Sequence, residues 1–335
     1  MTVMMQMTAD TEVITAAIEL ACHAPSLHNS QPWRWVAGST GVDLFVDPRR
    51  TVKSADKSGR EAIISCGAAL DHFRVAMAAA GWSSNVAQFP NPNNLDHLAS
   101  IDVVPTEYVA RARRDLADAI LRRRTNRLPF RAPKHWSALE PVLRDAGRDH
   151  SVALDVLGPD ARPGLIEAAR LAEALRRYDD DYHHELDWWT SPSRKFDGIP
   201  ESALVSEADD RRVDVNRRFP VDPLDERSSA GSYDDAKILV LSTPEDTRAD
   251  ALRVGQVLSR ILLECTAAGL ATCPVTHVTE LEAGRDLIRH LMADPAAVPQ
   301  VLIRVGVEPE GELPPRPTPR RPLGDVVQFR PLSDR

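Results

Sequence analysis

Two stretches of the sequence, "GAALDHFRVAMAAAGW" (residues 67–82) and "GQVLSRILLECTAAGL" (residues 255–270), carry one shared pattern. Each follows a strand candidate, ends in Ala-Ala-Gly and leads into another strand candidate, so whole units recur. The pattern predicts a chain of two fused, related halves. The alternative explanation is a chance similarity between two ordinary helices. The matching positions, all separated by one constant distance, are Gly67/Gly255, Leu70/Leu258, Ala79/Ala267, Ala80/Ala268 and Gly81/Gly269.

The repeated glycines have structural explanations. Gly81 and Gly269 follow helical runs, where glycine commonly ends a helix in the left-handed conformation. Gly67 and Gly255 lie inside those runs, where a missing side chain lets two helices approach closely. We therefore expect all four to shape the fold and none to take part in catalysis.

The rest of the chain alternates strand and helix patterns. β-Branched runs with strand periodicity lie at residues 42–47, 100–104, 152–157, 237–242 and 300–306. Helical patterns cover approximately residues 11–22, 60–80, 109–124, 162–178, 247–268 and 279–292. This order indicates an α+β or α/β protein.

Composition limits the possible partners. The 335 residues are 43% hydrophobic, enough for two ordinary domains or one large one. A net charge of -8 provides no positive field for nucleic acid or an anionic membrane. No apolar run reaches the length of a spanning helix, and the first residues lack a signal-peptide pattern, so we expect a cytoplasmic protein. The four cysteines show no CxxC spacing and are expected to be buried free thiols.

Residues 179–235 interrupt the regular pattern with a polar, proline-containing run. A segment of this length inside a folded protein is either disordered or functional, and we favour a partly ordered lid with Trp188 or Trp189 as apolar cover. His183, His184 and Glu185 are adjacent and face different directions on a helix, so no metal site is expected there.

Three further segments suggest a binding site. "HAPSLHNSQPWRW" (residues 23–35) is rich in turn and hydrogen-bonding residues, and "RRRTNRLPF" (122–130) and "PPRPTPRRPL" (314–323) are basic. Neither GxGxxG after a strand nor GxxxxGK[ST] occurs, so a dinucleotide fold is not supported. Two basic clusters in an acidic chain favour an anion site over solvated surface. His23 and His28 are interpreted as turn or interface residues, a cofactor contact by His28 being the alternative.

These segments resemble a known family. "APSLHNSQPWRW" resembles the APSxxNxQPW element of flavin-dependent nitroreductases, and "RRRTNRLPF" resembles their RRSxRxF phosphate element. "GLATCPVTH" (269–277) and "IRVGVEPEGELPPRPTPRRPLGDV" (303–326) resemble their flavin-wall and tail segments. Except for residues 179–235, the chain is most similar to the Acg-type nitroreductase-like proteins of mycobacteria.

The resemblance implies a nitroreductase-like α+β fold in which two halves form a pseudo-dimer. Ordinary members of the family carry both motifs in one short subunit, the RRSxR element first, and bind FMN across a homodimer. Here the order is reversed, and each half lacks the motif that the other retains. The implied division is residues 1–120 for the first half and 121–335 for the second, with 179–235 as a lid insertion. The resemblance further implies that a monomer has one FMN site.

Site residues follow from the same resemblance. One group would bind the FMN phosphate, a second would reach the flavin from the other half, and a third would lie beside its reactive N5 atom. Gln31 and Trp33 are expected to fix the turn and pack the core. At the position of Thr276 several family members carry an acidic residue instead. The phosphate group comprises Arg123, Thr125, Arg320 and, more loosely, Arg316. The group from the other half comprises Pro25, Ser26 and Asn29, and the group beside N5 comprises Pro274, Val275 and Thr276.

The resemblance implies an FMN-dependent oxidoreductase that passes a hydride from NADH or NADPH to a nitro compound or quinone. The flavin carries such chemistry, so no catalytic side chain and no metal are expected. One alternative is a protein that stores or sequesters FMN beneath the insertion without turnover. A weaker alternative is a flavin-free interaction protein.

Overall fold

The computed structural model describes residues 9–38, 41–220, 233–309 and 316–330, which form an α+β fold as the sequence predicts. The strands are β1 (Trp33–Ala37), β2 (Val42–Val46), β3 (Trp82–Gln88), β4 (His97–Pro105), β5 (Ala153–Leu157), β6 (Lys237–Thr243), β7 (Ala271–Val275), β8 (Val298–Gly306) and β9 (Val327–Phe329). The helices are α1 (Thr11–Ala21), α2 (Arg60–Ala79), α3 (Arg111–Arg122), α4 (Trp136–Arg148), α5 (Arg162–Arg176), α6 (Asp180–Thr190), α7 (Glu207–Asp210), α8 (Arg248–Ala267), α9 (Glu282–Arg289) and α10 (Leu323–Val326).

Strand order shows how the two halves are related. The first sheet has the order β3-β4-β2-β1-β9, and the second has the order β5-β6-β8-β7. When β1 to β4 are matched with β5 to β8, the four matched strands follow the same order in both sheets. The extra strand, β9, comes from the C-terminal segment and pairs in parallel with β1, Trp35 opposite Val327. The tail of the second half therefore extends the sheet of the first.

The helices α2 and α8 pack against each other at the repeated glycines. A Cβ atom at Gly67 would lie 2.3 Å from the carbonyl oxygen of Leu252, and one at Gly255 would lie 2.0 Å from that of Ile64. The backbones leave no room for a larger side chain, which confirms close packing as the role of both glycines. Because α2 also contacts the first sheet and α8 the second, this contact joins the halves in one hydrophobic core.

The ends of these two helices also agree with the sequence patterns. Gly81 and Gly269 follow them with φ angles of 89° and 75°, which confirms the left-handed helix ends. Thr247 begins α8 as the N-cap of a capping box, its side chain accepting a hydrogen bond from the backbone N–H of Asp250. Local sequence therefore defines the C-terminal ends of both helices and the start of α8.

Several elements differ from the prediction. The sequence did not indicate β1, because turn-forming residues surround it, yet it forms a strand whose Trp33 and Trp35 are fully buried. Gln31 is also fully buried beside it, so the expected turn and core roles of Gln31 and Trp33 are confirmed. The helices α4 and α6 were not predicted from their charged sequences, and α9 is shorter than the predicted 279–292. All four cysteines are free and buried, as expected.

The helix α2 is long and apolar enough to span a membrane by length and composition. This corrects the expectation that no run of the sequence reaches such a length. Within the fold, 83% of its most apolar window is buried. The apolar character of α2 is therefore explained by its central place in the core.

The insertion, residues 179–235, is attached to both halves. Its end is held to β8 by the ion pair of Asp234 with Arg304, 2.7 Å apart and almost completely buried. Its helix α6 reaches the first half, where a carboxylate oxygen of Glu185 accepts a hydrogen bond of 2.8 Å from the backbone N–H of Ser54. The described part of the insertion is therefore an ordered bridge across the halves.

The two tryptophans of the insertion do not take the predicted position. Trp188 is 60% exposed, and Trp189 packs in a cluster with Val52 of the first half. The side chain of Arg194 lies over both indole rings, 4.7 and 4.5 Å from their centroids. Neither ring lines the pocket described below, so the prediction of these two residues as its cover is wrong. Residues 221–232 of the predicted lid lie outside the described residues.

Candidate functional site

A pocket lies where elements of both halves meet. Its empty space, open solvent at the mouth included, is about 1220 Å³. The loop before β1, the loop after α3, the end of β7 and the C-terminal tail all contribute walls. All ten residues predicted for the cofactor site line this one pocket: Pro25, Ser26, Asn29, Arg123, Thr125, Pro274, Val275, Thr276, Arg316 and Arg320.

The loop before β1 forms the first wall. His28, Asn29 and Gln31 have φ angles of 49°, 56° and 51°, a left-handed backbone that non-glycine residues adopt only where surrounding contacts hold it. The side-chain nitrogen of Asn29 donates hydrogen bonds of 3.0 Å to the carbonyl oxygens of Gly198 and Pro319. Asn29 therefore ties the insertion and the tail to this loop.

Pro25 and Ser26 begin that wall. The Ser26 hydroxyl oxygen accepts a hydrogen bond of 3.0 Å from the backbone N–H of Gln31, which closes the turn. The carbonyl oxygen of His23, just before Pro25, accepts hydrogen bonds from Arg123 at 3.3 Å and Arg320 at 3.1 Å. The loop thus brings together two arginines that are far apart in sequence.

Arg123 and Arg320 form a cationic end of the pocket. Arg123 is 5% exposed, and within the described residues its Nε and Nη1 atoms have no hydrogen-bond partner. Arg320 is half-buried, its Nη1 donates to Oδ1 of Asn29 and to the carbonyl oxygen of Pro319, and among the same residues only its Nε has no partner. Burial, with Arg320 and Arg124 nearby, lowers the pKa of Arg123 to about 9, and burial lowers that of Arg320 to about 10. Within the described ranges, no carboxylate forms an ion pair with either. The two unpartnered nitrogens of Arg123, with Nε of Arg320 beside them, suit an anionic ligand.

The end of α3 explains why one arginine of the run is buried. Arg122 is the last helical residue and is exposed, whereas Arg123 leaves the helix with an extended ψ of 130° and is buried. Beyond it, Thr125 forms a parallel bridge with Thr272 at the start of β7. The loop after α3 therefore runs along the second sheet and places Thr125 at the pocket. Arg316 is exposed at the pocket rim.

The end of β7 forms the opposite wall with Pro274, Val275 and Thr276. The Thr276 hydroxyl donates a hydrogen bond of 3.1 Å to the carboxylate of Glu280 and accepts one of 3.3 Å from Arg217. Arg217 and Glu280 themselves form a buried ion pair. The Thr276 side chain is thus held by Arg217 and Glu280, whose opposite charges compensate each other.

The insertion, predicted as a lid, lines the pocket with residues that the sequence analysis did not name. Phe219 meets the imidazole of His28 edge to face, with ring centroids 5.9 Å apart, and the guanidinium of Arg127 lies 5.1 Å from the Phe219 centroid. A single phenylalanine in a charged run gave no periodic signal. The other insertion residues at the pocket are Ile199, Ala203, Asn216 and Arg217.

Two buried histidines also line the pocket. In the described part of the chain, both ring nitrogens of His28 and of His277 lack hydrogen-bond partners. Burial lowers the pKa of His277 to about 3, with Arg217 adding to the effect, and lowers that of His28 well below its usual value. The imidazoles are therefore neutral near pH 7 and free to hydrogen-bond a ligand. The alternative interpretation of His28 as a cofactor neighbour is consistent with this position.

Two related halves that share one pocket, with paired arginines at one end and the "APSLHNSQPW" loop as a wall, define the class of fused nitroreductase-like proteins. Sequence comparison gives the family. The chain is 52% identical over 320 residues to "Putative NAD(P)H nitroreductase acg" of Mycobacterium tuberculosis, covering 96% of each chain. It therefore belongs to the Acg family of nitroreductase-like proteins.

Further comparisons add context. An uncharacterized M. tuberculosis protein is 53% identical over 318 residues, covering 94% of this chain and 92% of its own. A nitroreductase with bound FMN from Bacteroides fragilis is 13% identical with a TM-score of 0.38, covering 61% of this chain and 93% of that one. No family model matches the chain.

Proposed function

We propose that the chain binds one FMN in this pocket and uses it as an NAD(P)H-dependent reductase of nitro compounds or quinones. The observation that carries the proposal is that Arg123, buried with two nitrogens unpartnered within the described residues, lines one pocket together with Arg320. Relatives named as NAD(P)H nitroreductases support the choice of reaction.

The residues present fit FMN. Arg123 and Arg320 would hold the phosphate through charged hydrogen bonds, with Thr125 and the rim residue Arg316 beside them. The wall of Pro25, Ser26 and Asn29 and the wall of Pro274, Val275 and Thr276 would enclose the ring system. When bound, FMN supplies the hydride-transfer chemistry, and the protein supplies position and access.

The proposal includes a single site in a chain that needs no partner subunit. The phosphate end combines Arg123 after α3 with Arg320 of the tail, whereas the loop of Pro25 to Asn29 comes from the first half. We further propose that the halves, residues 1–120 and 121–335, arose by gene duplication and that the protein is cytoplasmic.

A second candidate function is FMN sequestration. Five residues of the insertion line the pocket, and Phe219 lies against His28 at its wall. An aromatic wall of this kind would restrict nicotinamide access and slow the release of FMN. The two functions make different predictions for the intact chain and for a variant with a smaller residue at Phe219.

An anaerobic absorbance experiment separates them. As a reductase, the FMN-loaded chain is expected to lose its oxidised-flavin absorbance with NADPH and regain it with menadione. As a sequestering protein, it should remain oxidised with NADPH, and Phe219→Ala should release FMN faster and allow reduction. Trp188→Ala, at an exposed tryptophan of the same insertion, is the control and should behave as the parent. A chain that binds no FMN would contradict both functions.

A further inference from the structure

The helix α2 presents Glu61, Ile64 and Ser65 to the pocket. Residues three and four positions apart share one helix face, so this face forms part of the wall. The Ser65 hydroxyl donates a hydrogen bond of 2.7 Å to the carbonyl oxygen of Glu61 and accepts one of 3.3 Å from the backbone N–H of Leu27. Glu61 is only 3% exposed. A rigid helix therefore holds a buried carboxyl at the pocket.

The contacts of this carboxyl place it on the β7 side. Oε1 of Glu61 accepts a hydrogen bond of 2.7 Å from Nη2 of Arg60, and the same nitrogen donates one of 2.6 Å to the carbonyl oxygen of Thr279. The Thr279 hydroxyl in turn donates to the carbonyl oxygen of Thr276, 2.9 Å away. Through Arg60, the carboxyl is thus tied to the turn that carries Thr276 of the pocket wall.

Neighbouring carboxyl groups are already engaged. The two oxygens of Asp56 accept hydrogen bonds from the backbone N–H groups of Glu61 and Ala62, at 3.1 and 2.9 Å. Glu280 is paired with Arg217. Glu61, by contrast, uses Oε1 alone, and its Oε2 has no hydrogen-bond partner within the part of the chain that the structure describes. Among these three acids, Glu61 is therefore the one whose carboxyl can hydrogen-bond a ligand.

The protonation of Glu61 suits proton transfer near neutral pH. Burial raises its pKa to about 7 against the opposing effect of Arg60, and Asp56 and Glu280 raise it as well. A group whose pKa lies near the working pH is populated in its acid form and gives up its proton readily. Arg60 lies ready to stabilise the carboxylate that remains.

We propose that Glu61 donates a proton to an oxygen atom of the acceptor reduced in this pocket, which makes it a catalytic residue. The inference rests on the proposed reductase function, which supplies the hydride. With a quinone, the hydride brings both electrons and one hydrogen, the O–H bond of Glu61 breaks, and a new O–H bond forms on the acceptor. Quinone, hydride and proton together give the hydroquinone. The Glu61 carboxylate, beside Arg60, regains a proton from water through the open mouth.

The test compares Glu61→Gln with Glu12→Gln, a matched change on the exposed surface of α1. FMN-loaded proteins are reduced with stoichiometric dithionite, which removes any dependence on nicotinamide binding, and are mixed anaerobically with menadione at several pH values. For the parent and Glu12→Gln, the reoxidation rate should fall as pH rises through about 7, because the donating acid form is lost. Glu61→Gln should be about 100-fold slower or more and should lack this pH dependence.

An infrared titration of the FMN-free proteins provides a readout that needs no turnover. The parent and Glu12→Gln should show a neutral-carboxyl band that disappears near pH 7, and Glu61→Gln should lack it. If the band is present and the parent reacts, but Glu61→Gln reoxidises like the parent with the same pH profile, the role of Glu61 is overturned while the reductase stands. If the parent binds no FMN or its reduced form does not react with menadione, the proposed function is overturned, and Glu61 with it.

Discussion

An Arg123→Met variant is expected to bind FMN 10- to 100-fold more weakly, because losing a hydrogen bond to a charged group costs about 1.5–3 kcal/mol, or about one to two decades of affinity. Without FMN, the same variant should be as stable as the parent or more stable. Arg123 is buried with two unpartnered nitrogens and no ion pair within the described residues, and replacing a poorly compensated buried charge with an apolar side chain is often neutral or stabilising. The two effects have opposite signs, which is typical of a residue kept for binding.

The measurements are FMN titration by fluorescence quenching and thermal unfolding with and without FMN. Arg122→Met is the control, because Arg122 is the exposed neighbour in the same arginine run. It should leave both quantities close to those of the parent. Arg320→Met should also bind FMN more weakly but should be less stable than the parent without FMN, because Arg320 donates hydrogen bonds to Asn29 and His23. Thr125→Ala should have a smaller effect on FMN binding. An Arg123→Met protein that binds FMN like the parent would show that this end of the pocket does not hold the phosphate.

The second large effect is expected at the contact between the halves. In an ordinary helix, alanine in place of glycine stabilises by about 0.5–1 kcal/mol. At Gly255 the sign should reverse, because the added Cβ would lie 2.0 Å from the carbonyl oxygen of Ile64 and 2.8 Å from the Cα of Gly67. Both neighbours are backbone atoms, so α2 and α8 must separate, at a cost of about 3 kcal/mol or more.

Thermal unfolding followed by circular dichroism measures this effect. Gly255→Ala should unfold at a lower temperature than the parent. Gly324→Ala is the matched control, since a Cβ there would meet no atom of the described residues within 4 Å, and it should unfold at the same temperature or slightly higher. Equal unfolding temperatures for Gly255→Ala and the parent would mean that the close helix contact does not hold the halves together.

Local patterns were sufficient to predict the central helix pair. The helices α2 and α8 combine long apolar sequences with clear end signals, such as Gly81 and Gly269, so their existence and ends follow from sequence. By contrast, β9 has only three residues and forms because β1 offers an edge for it. Pairing between segments this distant in the chain leaves no local signal.

In the pocket, too, some residues have a sequence signal and others have none. The two basic segments stand out in an acidic chain, and the resemblance to nitroreductases singled out Arg123 and Arg320 within them; the structure brings both residues to one pocket. Phe219 and Glu61 gave no such signal. A glutamate in the first turn of a helix usually serves the helix dipole, and only the burial of Glu61 beside Arg60 distinguishes it from that ordinary role.

The central claim is that two related halves build one FMN site within a single chain. Isothermal titration of FMN into the flavin-free protein, combined with the molecular mass of the complex in solution, tests it most directly. The account predicts one FMN bound per chain, with binding complete in the monomer. Two FMN molecules per chain, or binding only by a dimer of chains, would contradict it.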